Sequence, residues 1–319
     1  YKAMFERQAP KADQPKTMLS TDPKNIFMEG IGLIGLGANA KAASIAGDLV
    51  VQNARVRAIG EDAGGFRPIS EKDLFDCEYW SLEQAKLGKG TPPKFQGKIV
   101  MITGGSGTIG FAIAKAFSKL GAQTILVDKD EIALKESVAK LGVGHKYFPI
   151  DVTHSDAANQ AMLAAINNFG GLDILISNAG AAHAGPMLGI SNEELRNAFE
   201  LNFFSHYSFS TEAAKILKDQ NRGGQILFNI SKQAVNPGKN FGAYGLPKAT
   251  TFFLMRQLAL ELGSDGIRVN GINADRSRSG LLTDDFISSR AKSRGVSESE
   301  YMAGNLLNKE VTAEHVADA

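Results

Sequence analysis

Tyr244 and Lys248 stand four residues apart, a spacing that puts a phenol and an ammonium on one face of a helix. Ser231 lies thirteen residues before the tyrosine, at the end of an apolar run, and Asn202 falls in the preceding long helical stretch. These residue types suit proton transfer coupled to oxidation of an alcohol. An alcohol that gives up a hydride must also lose its hydroxyl proton, and a phenol at its ordinary pKa of about 10 is too fully protonated to accept it near neutral pH. A nearby ammonium favours the phenolate and lowers that pKa. With six tyrosines in the chain, a lone Tyr-x-x-x-Lys would arise readily by chance. Ser231, Asn202 and a glycine-rich turn upstream are what single this one out.

That turn lies in the stretch 98–128, KIVMITGGSGTIGFAIAKAFSKLGAQTILVD. An apolar run at 99–102 reads as a strand buried on both faces. Gly104, Ser106, Gly107, Thr108, Ile109 and Gly110 follow as a tight turn into a helix, and a second apolar strand ends at Asp128. Strand, glycine turn, helix, strand and acid together form the context of a dinucleotide site. The turn lets the backbone close on a pyrophosphate, and the helix N-terminus offers free N–H groups. Asp128 would accept hydrogen bonds from the adenosine ribose and repel a 2′-phosphate, so NAD is expected rather than NADP.

To position these groups the chain alternates strand and helix. Strands are expected at 145–150, 173–176, 225–230 and 267–272, with helices at 131–141, 155–169, 192–217 and 244–262. The fold class is therefore α/β, a Rossmann-type doubly wound parallel sheet. Asp151, Val152, Asn178, Ala179 and Gly180 fall at the carboxyl ends of its strands, where ligands sit. The Gly-, Pro- and Lys-rich stretch 88–98 is the clearest linker. It separates a small α/β N-terminal appendage with its linker, 1–92, from a dinucleotide-binding domain, 93–319. Within the appendage Gly30, Gly32 and Gly35 form a second glycine pattern, but no strand ending in an acid follows, so it reads as a tight strand-to-helix turn. Ser70 to Asp73 look like a helix start.

A length of 319 residues allows one large domain or two modest ones. The net charge of +1 gives no general attraction to nucleic acid or an anionic membrane. Only Cys77 is present, which excludes an internal disulfide framework and suits a reducing compartment; core packing is its expected role. No signal peptide is visible and the longest apolar stretch is too short for a bilayer, so a cytoplasmic protein is expected. Five scattered histidines show no ligand spacing, and no metal site is expected.

From Lys98 onward the chain resembles the short-chain dehydrogenase/reductase family, in TGGSGTIG (103–110), Asp128, Asp151-Val152, Asn178-Ala179-Gly180, Asn202, Ser231 and Tyr244/Lys248. The resemblance implies Tyr244 as general acid/base and Lys248 as the group that lowers its pKa and holds the nicotinamide ribose. It implies Ser231 as the contact to the substrate oxygen and Asn202 as anchor of a relay water. It also implies assembly as a homodimer or homotetramer through the two long helices. FDCEYWSLEQAKL, FNISKQAVNPGKNFGAYGLPKAT and GINADRSRSGLLTDDF further resemble bifunctional rhamnulose-1-phosphate aldolase/alcohol dehydrogenases. On that likeness the appendage is the end of an aldolase half, without aldolase activity, and the chain stops before the family's last strand.

Thr108 stands where ordinary short forms carry glycine, and Asn273-Ala274-Asp275-Arg276 where the family usually has Pro-Gly. His183, Lys232 and Arg276 border the expected substrate pocket, and 277–308 occupies the lid position. The expected function is hydride transfer between NAD and a small polar alcohol or carbonyl, sugar- or lactaldehyde-like. Two alternatives stay open: a non-catalytic NAD-binding or assembly module, and a sugar-nucleotide epimerase or dehydratase.

Overall fold

The computed structural model describes residues 1–82, 91–182, 184–280 and 282–319. The chain divides into two compact units, Tyr1–Pro93 and Lys94–Ala319.

The first unit holds helix α1 (Lys2–Gln8), a hairpin of β1 (Asn25–Met28) and β2 (Gly32–Gly35), the long helix α2 (Ala40–Asp62) and α3 (Glu71–Glu78). Met4, Phe75 and Tyr79 form its small core. One expectation holds in part and one is corrected here. The glycine pattern begins as the turn of an antiparallel hairpin, where Gly30 (φ 75°) and Gly32 (φ 120°) supply left-handed backbone that other residues rarely adopt. Only Gly35, the end of β2, meets the helix that follows, and a Cβ there would run into the Ala43 carbonyl oxygen. Cys77 is exposed and packs into no core. Ser70 does start a helix, its hydroxyl accepting from the Asp73 amide.

The second unit is built on six parallel strands. In chain order they are β3 (Ile99–Thr103), β4 (Gln123–Asp128), β5 (Lys146–Pro149), β6 (Ile174–Ser177), β7 (Gly224–Asn229) and β8 (Ile267–Ile272). Their spatial order is β5-β4-β3-β6-β7-β8. This is the expected doubly wound Rossmann-type sheet. The order reverses between β3 and β6, which opens a crevice at the carboxyl ends of those two strands.

Alternate side chains along β3 enter different cores, because successive residues of a strand point to opposite faces. Ile99 and Met101 join Phe209, Leu217 and Phe228 on one side. Val100 and Ile102 join Ile113, Leu126 and Leu134 on the other. Helices α4 (Thr108–Lys119) and α5 (Glu131–Leu141) connect the strands of one half; α6 (Ala157–Phe169) leads into β6.

The expected long helix over 192–217 is one unbroken helical stretch made of α7 (Asn192–Phe199), a π turn at Glu200–Phe204 and α8 (Ser205–Gln220). Helix α9 (Gly242–Leu262) carries Pro247 as its sixth residue, inside the helix, where the missing N–H removes one helical hydrogen bond. After β8 come α10 (Asp284–Arg294) and α11 (Glu298–Met302), which share a small core of Ile287, Ala291, Tyr301 and Met302. The final helix, α12 (Ala313–Asp318), packs against α4. Among the described residues no strand follows β8, and no helix is long and apolar enough to cross a membrane.

Candidate active site

A cleft of about 460 Å³ runs along the carboxyl ends of the strands. At one end is the glycine turn. Gly104 takes φ 63°, and a Cβ there would meet Ala179 Cα at 3.0 Å and Asn178 Nδ2 at 3.1 Å. Gly107 is the N-cap of α4 and supplies no capping side chain, so the first amides of the helix face the cleft unclaimed by one. Ser106 donates its hydroxyl (2.7 Å) and amide (3.3 Å) to Asp128 Oδ2, which fixes the carboxylate at the end of β4. A ligand phosphate fits this cradle, and its ribose fits the carboxylate. Asp151 lines the cleft with its Oδ1 accepting from the Thr153 amide (3.0 Å) and hydroxyl (2.7 Å), and those bonds hold its pKa below the usual carboxylate range. Val152 is buried beside it.

The middle of the cleft is stitched by polar side chains. Thr103 Oγ1 accepts from the amides of Asn178 (2.9 Å) and Ala179 (3.0 Å), which ties β3 to the end of β6. Asn229 donates to Asn178 Oδ1 at 2.9 Å, which extends the tie to β7. A polar group on each strand end takes over where the ladder hydrogen bonds stop.

At the other end stand the four residues expected to do chemistry. Ser231 Oγ accepts from the Gln233 amide at 3.2 Å, and its hydroxyl hydrogen-bonds the Tyr244 phenol. Burial pushes the Tyr244 pKa up, and the Ser231 hydrogen bond opposes this in part. Lys248 is buried; Nζ donates to the Asn229 carbonyl at 3.0 Å and lies 3.2 Å from His206 Nε2. Burial lowers its pKa to about 7. Its ammonium sits 5.9 Å from the Tyr244 ring centre and makes no hydrogen bond to the phenol, so lowering of the tyrosine pKa by direct contact is absent in this state.

Asn202 sits on the π turn, 1% exposed, and donates to the carbonyls of Ala181 (2.9 Å) and Ala198 (3.1 Å). Its Oδ1 is buried without a partner. That oxygen faces Gly180, where a Cβ would come within 2.9 Å of it and 3.5 Å of Lys248 Nζ. A side chain at 180 would close the space between the two groups.

Two cationic candidates are already engaged. Lys232 pairs with Asp275, and Arg276 donates to the carbonyls of Tyr301 and Gly304, fastening the segment after β8 to α11. Burial raises the Asp275 pKa, but the hydrogen bonds from Lys232 and the Arg276 amide outweigh it and hold the carboxyl below its usual range. Both cations line the cleft. His183 lies outside the described residues.

The sequence reads Gly105 only as part of the glycine turn, and it gives almost no notice of His206. Gly105 is buried behind the turn against Leu126 and Ile102. His206 is 1% exposed and touches Lys248; its one local signal is a position four residues after Asn202.

Comparison with known proteins agrees with this fold. Residues 98–284 match the family model for the short chain dehydrogenase, and residues 1–87 match that for the second domain of class II aldolase. The chain is 32% identical over 281 residues to the uncharacterized oxidoreductase YuxG of Bacillus subtilis, covering 86% of this chain but only 40% of that protein's length. It is 31% identical over 180 residues to galactitol 2-dehydrogenase of Agrobacterium fabrum, covering 56% of this chain and 70% of that one. A short-chain type dehydrogenase/reductase from Mycobacterium ulcerans superposes with a TM-score of 0.64 at 28% identity, covering 70% of this chain and 82% of that structure. With the first model spanning more than half the residues, over the same segment that carries the sheet and the cleft, the chain belongs to the short chain dehydrogenase family.

Proposed function

We propose that the second unit is an oxidoreductase that moves a hydride between a nicotinamide dinucleotide and a small polar alcohol or its carbonyl, with Tyr244 as general acid/base. The supporting observation is the placement of the half-buried Tyr244 and Ser231 and the buried Lys248 in the same cleft as the glycine turn and Asp128. Gly104, Ser106, Gly107, Thr108, Ile109 and Gly110 would hold the pyrophosphate. Asp128 would take the adenosine ribose, which favours NAD over NADP. Asp151, Val152, Asn178, Ala179 and Gly180 would line the adenine and nicotinamide-side walls. A bound nicotinamide supplies the hydride acceptor or donor.

Tyr244 Oη takes the substrate hydroxyl proton in oxidation and returns it in reduction. The Ser231 hydroxyl, held by the Gln233 amide, donates to the substrate oxygen or to the phenolate, whichever carries the charge. Lys248 contributes positive charge near the phenol and would hold the nicotinamide ribose. The unpartnered Asn202 Oδ1 offers an acceptor beside Lys248, the place for a relay water. Helices α10 and α11 cover the substrate end and exclude water from the reaction.

Similarity to galactitol 2-dehydrogenase favours a polyol or hydroxy aldehyde, and the aldolase-type match over residues 1–87 favours a bifunctional parent protein whose aldolase part ends in the first unit. We assign the protein to the cytoplasm, as a homodimer or homotetramer joined through the helical stretch of α7 and α8 and through α9.

Tyr244→Phe tests the chemistry. With galactitol and 1,2-propanediol as trial alcohols and NAD as oxidant, turnover should fall by about 10²–10⁴-fold while NADH still binds. Turnover equal to wild type would remove Tyr244 from the mechanism.

A further inference from the structure

Lys248 pairs with no carboxylate among the described residues. Two acceptors hold it: the Asn229 carbonyl at 3.0 Å and His206 Nε2 at 3.2 Å. His206 comes from the first turn of α8, and its other nitrogen, Nδ1, lies 2.6 Å from the Ser177 hydroxyl at the end of β6. Ser177 is itself 1% exposed. With the Asn229–Asn178 hydrogen bond, these contacts close a ring: Ser177, His206, Lys248, Asn229, Asn178 and back to Ser177 through the chain. The ring pins the lysine head to the ends of β6 and β7.

We propose that His206 is the positioning residue of Lys248, a neutral imidazole that accepts from the ammonium and keeps it charged and aimed in a buried site. An ammonium can only donate, so Nε2 must be the bare nitrogen and Nδ1 must carry the proton, which it gives to Ser177. Two of the three ammonium protons are then fixed, on Asn229 and on His206, and the third is left for the cleft. Burial, with the adjacent Lys248 charge adding to it, holds the His206 pKa well below the ordinary histidine value, so the imidazole stays an acceptor at neutral pH.

The groups facing this pair from the packed elements are Ser177 on β6, Asn229 on β7, Asn202 on the π turn, and Tyr244 on α9 itself. Among the described residues no carboxylate pairs with either one. Lys248 thus owes its charged form to neutral acceptors, and removing one of them has no ionic substitute.

Because this role presupposes that Lys248 serves the chemistry proposed above, the test is read without substrate and separately from the Tyr244→Phe assay. Lysines labelled with ¹³C at Cε are titrated by NMR in the full chain, and the Lys248 signal is assigned by its loss in Lys248→Met. His206→Leu removes the acceptor and should lower the Lys248 midpoint by about one pH unit or more. His206→Gln keeps an acceptor toward Lys248 and a donor toward Ser177, and should restore the midpoint to near that of wild type. Ser177→Ala frees the tautomer without opening a large cavity, and should shift the midpoint the same way by less; it carries the test where the leucine variant fails to fold. An unmoved midpoint in His206→Leu or, failing that, in Ser177→Ala overturns the proposal, as does a glutamine variant that behaves like leucine.

Discussion

Gly105 offers a test of how the sheet holds the glycine turn. Its amide donates to the Val127 carbonyl at 3.1 Å, and its φ is not positive, so alanine could adopt its backbone without torsional strain. Space is the obstacle. A Cβ there would lie 2.8 Å from Leu126 Cβ, 2.9 Å from the Ile102 carbonyl oxygen and 3.0 Å from Leu126 Cα. Apolar heavy atoms rest about 3.5–4.0 Å apart, so β3, β4 or the turn must yield by about half an ångström or more. Leu126 is fully buried and the Ile102 oxygen is backbone, so neither can swing aside.

Overpacking of this kind costs about 1–3 kcal/mol. In a unit of this size each kcal/mol lowers Tm by about 2–4 °C, so Gly105→Ala should melt about 5 °C lower than wild type. The same displacement moves Gly104 and Ser106, so NADH affinity, followed by nicotinamide fluorescence, should weaken by about tenfold or more. Gly263→Ala is the control: Gly263 has right-handed helical backbone and open space around it. A Gly105→Ala protein that melts and binds like the control would refute the claim that β3 and β4 fix the turn.

Asp128→Asn removes a charge that would oppose a 2′-phosphate, and the preference for NADH over NADPH should narrow by about tenfold in parallel titrations. An unchanged ratio would take Asp128 out of cofactor choice. Lys248, at about pH 7 in the folded protein against 10.5 ordinarily, binds fewer protons folded than unfolded across that window, so its share of stability rises with pH from 7 to 10.5. Lys248→Met should therefore be more stable than wild type near pH 6, with the gap closing as pH rises; a gap constant across urea melts from pH 6 to 10 would contradict this. Phe228→Ala, at a core position 1% exposed, should cost about 3–5 kcal/mol by urea melts, and less than 1 kcal/mol would mean the core closes over the space.

Much of the fold could be read along the chain because parallel strands buried on both faces leave apolar runs with sharp ends. The strand 267–272 and the helix 131–141 match to the residue. Asp128 marks the end of β4 because the sequence changes character there. Where local pattern and tertiary packing part company, the sequence is silent. Around Gly30 the lack of a following strand that ends in an acid already sets a phosphate loop aside, but only the pairing of β1 with β2 shows that the turn closes a hairpin. Ser231, Tyr244, Lys248 and Asn202 could be named because their types and spacing are local signals. His206 could not, since it meets Lys248 across forty-two positions and Ser177 across twenty-nine. Nor could the engagement of Lys232 and Arg276, whose partners follow β8.

The π turn at Glu200–Phe204 has a consequence for chain length. Deleting one residue there would let α7 and α8 run together as a regular helix, a local gain in hydrogen bonding. The turn holds one residue more than a regular helical turn, so the deletion would leave α8 in phase with α7, and Ser205, His206, Phe209, Ser210, Ala213, Ala214 and Leu217 would still face the interior. The loss would fall at one place instead. Asn202, held inside the turn on the Ala181 and Ala198 carbonyls, would lose the backbone that aims its unpartnered Oδ1.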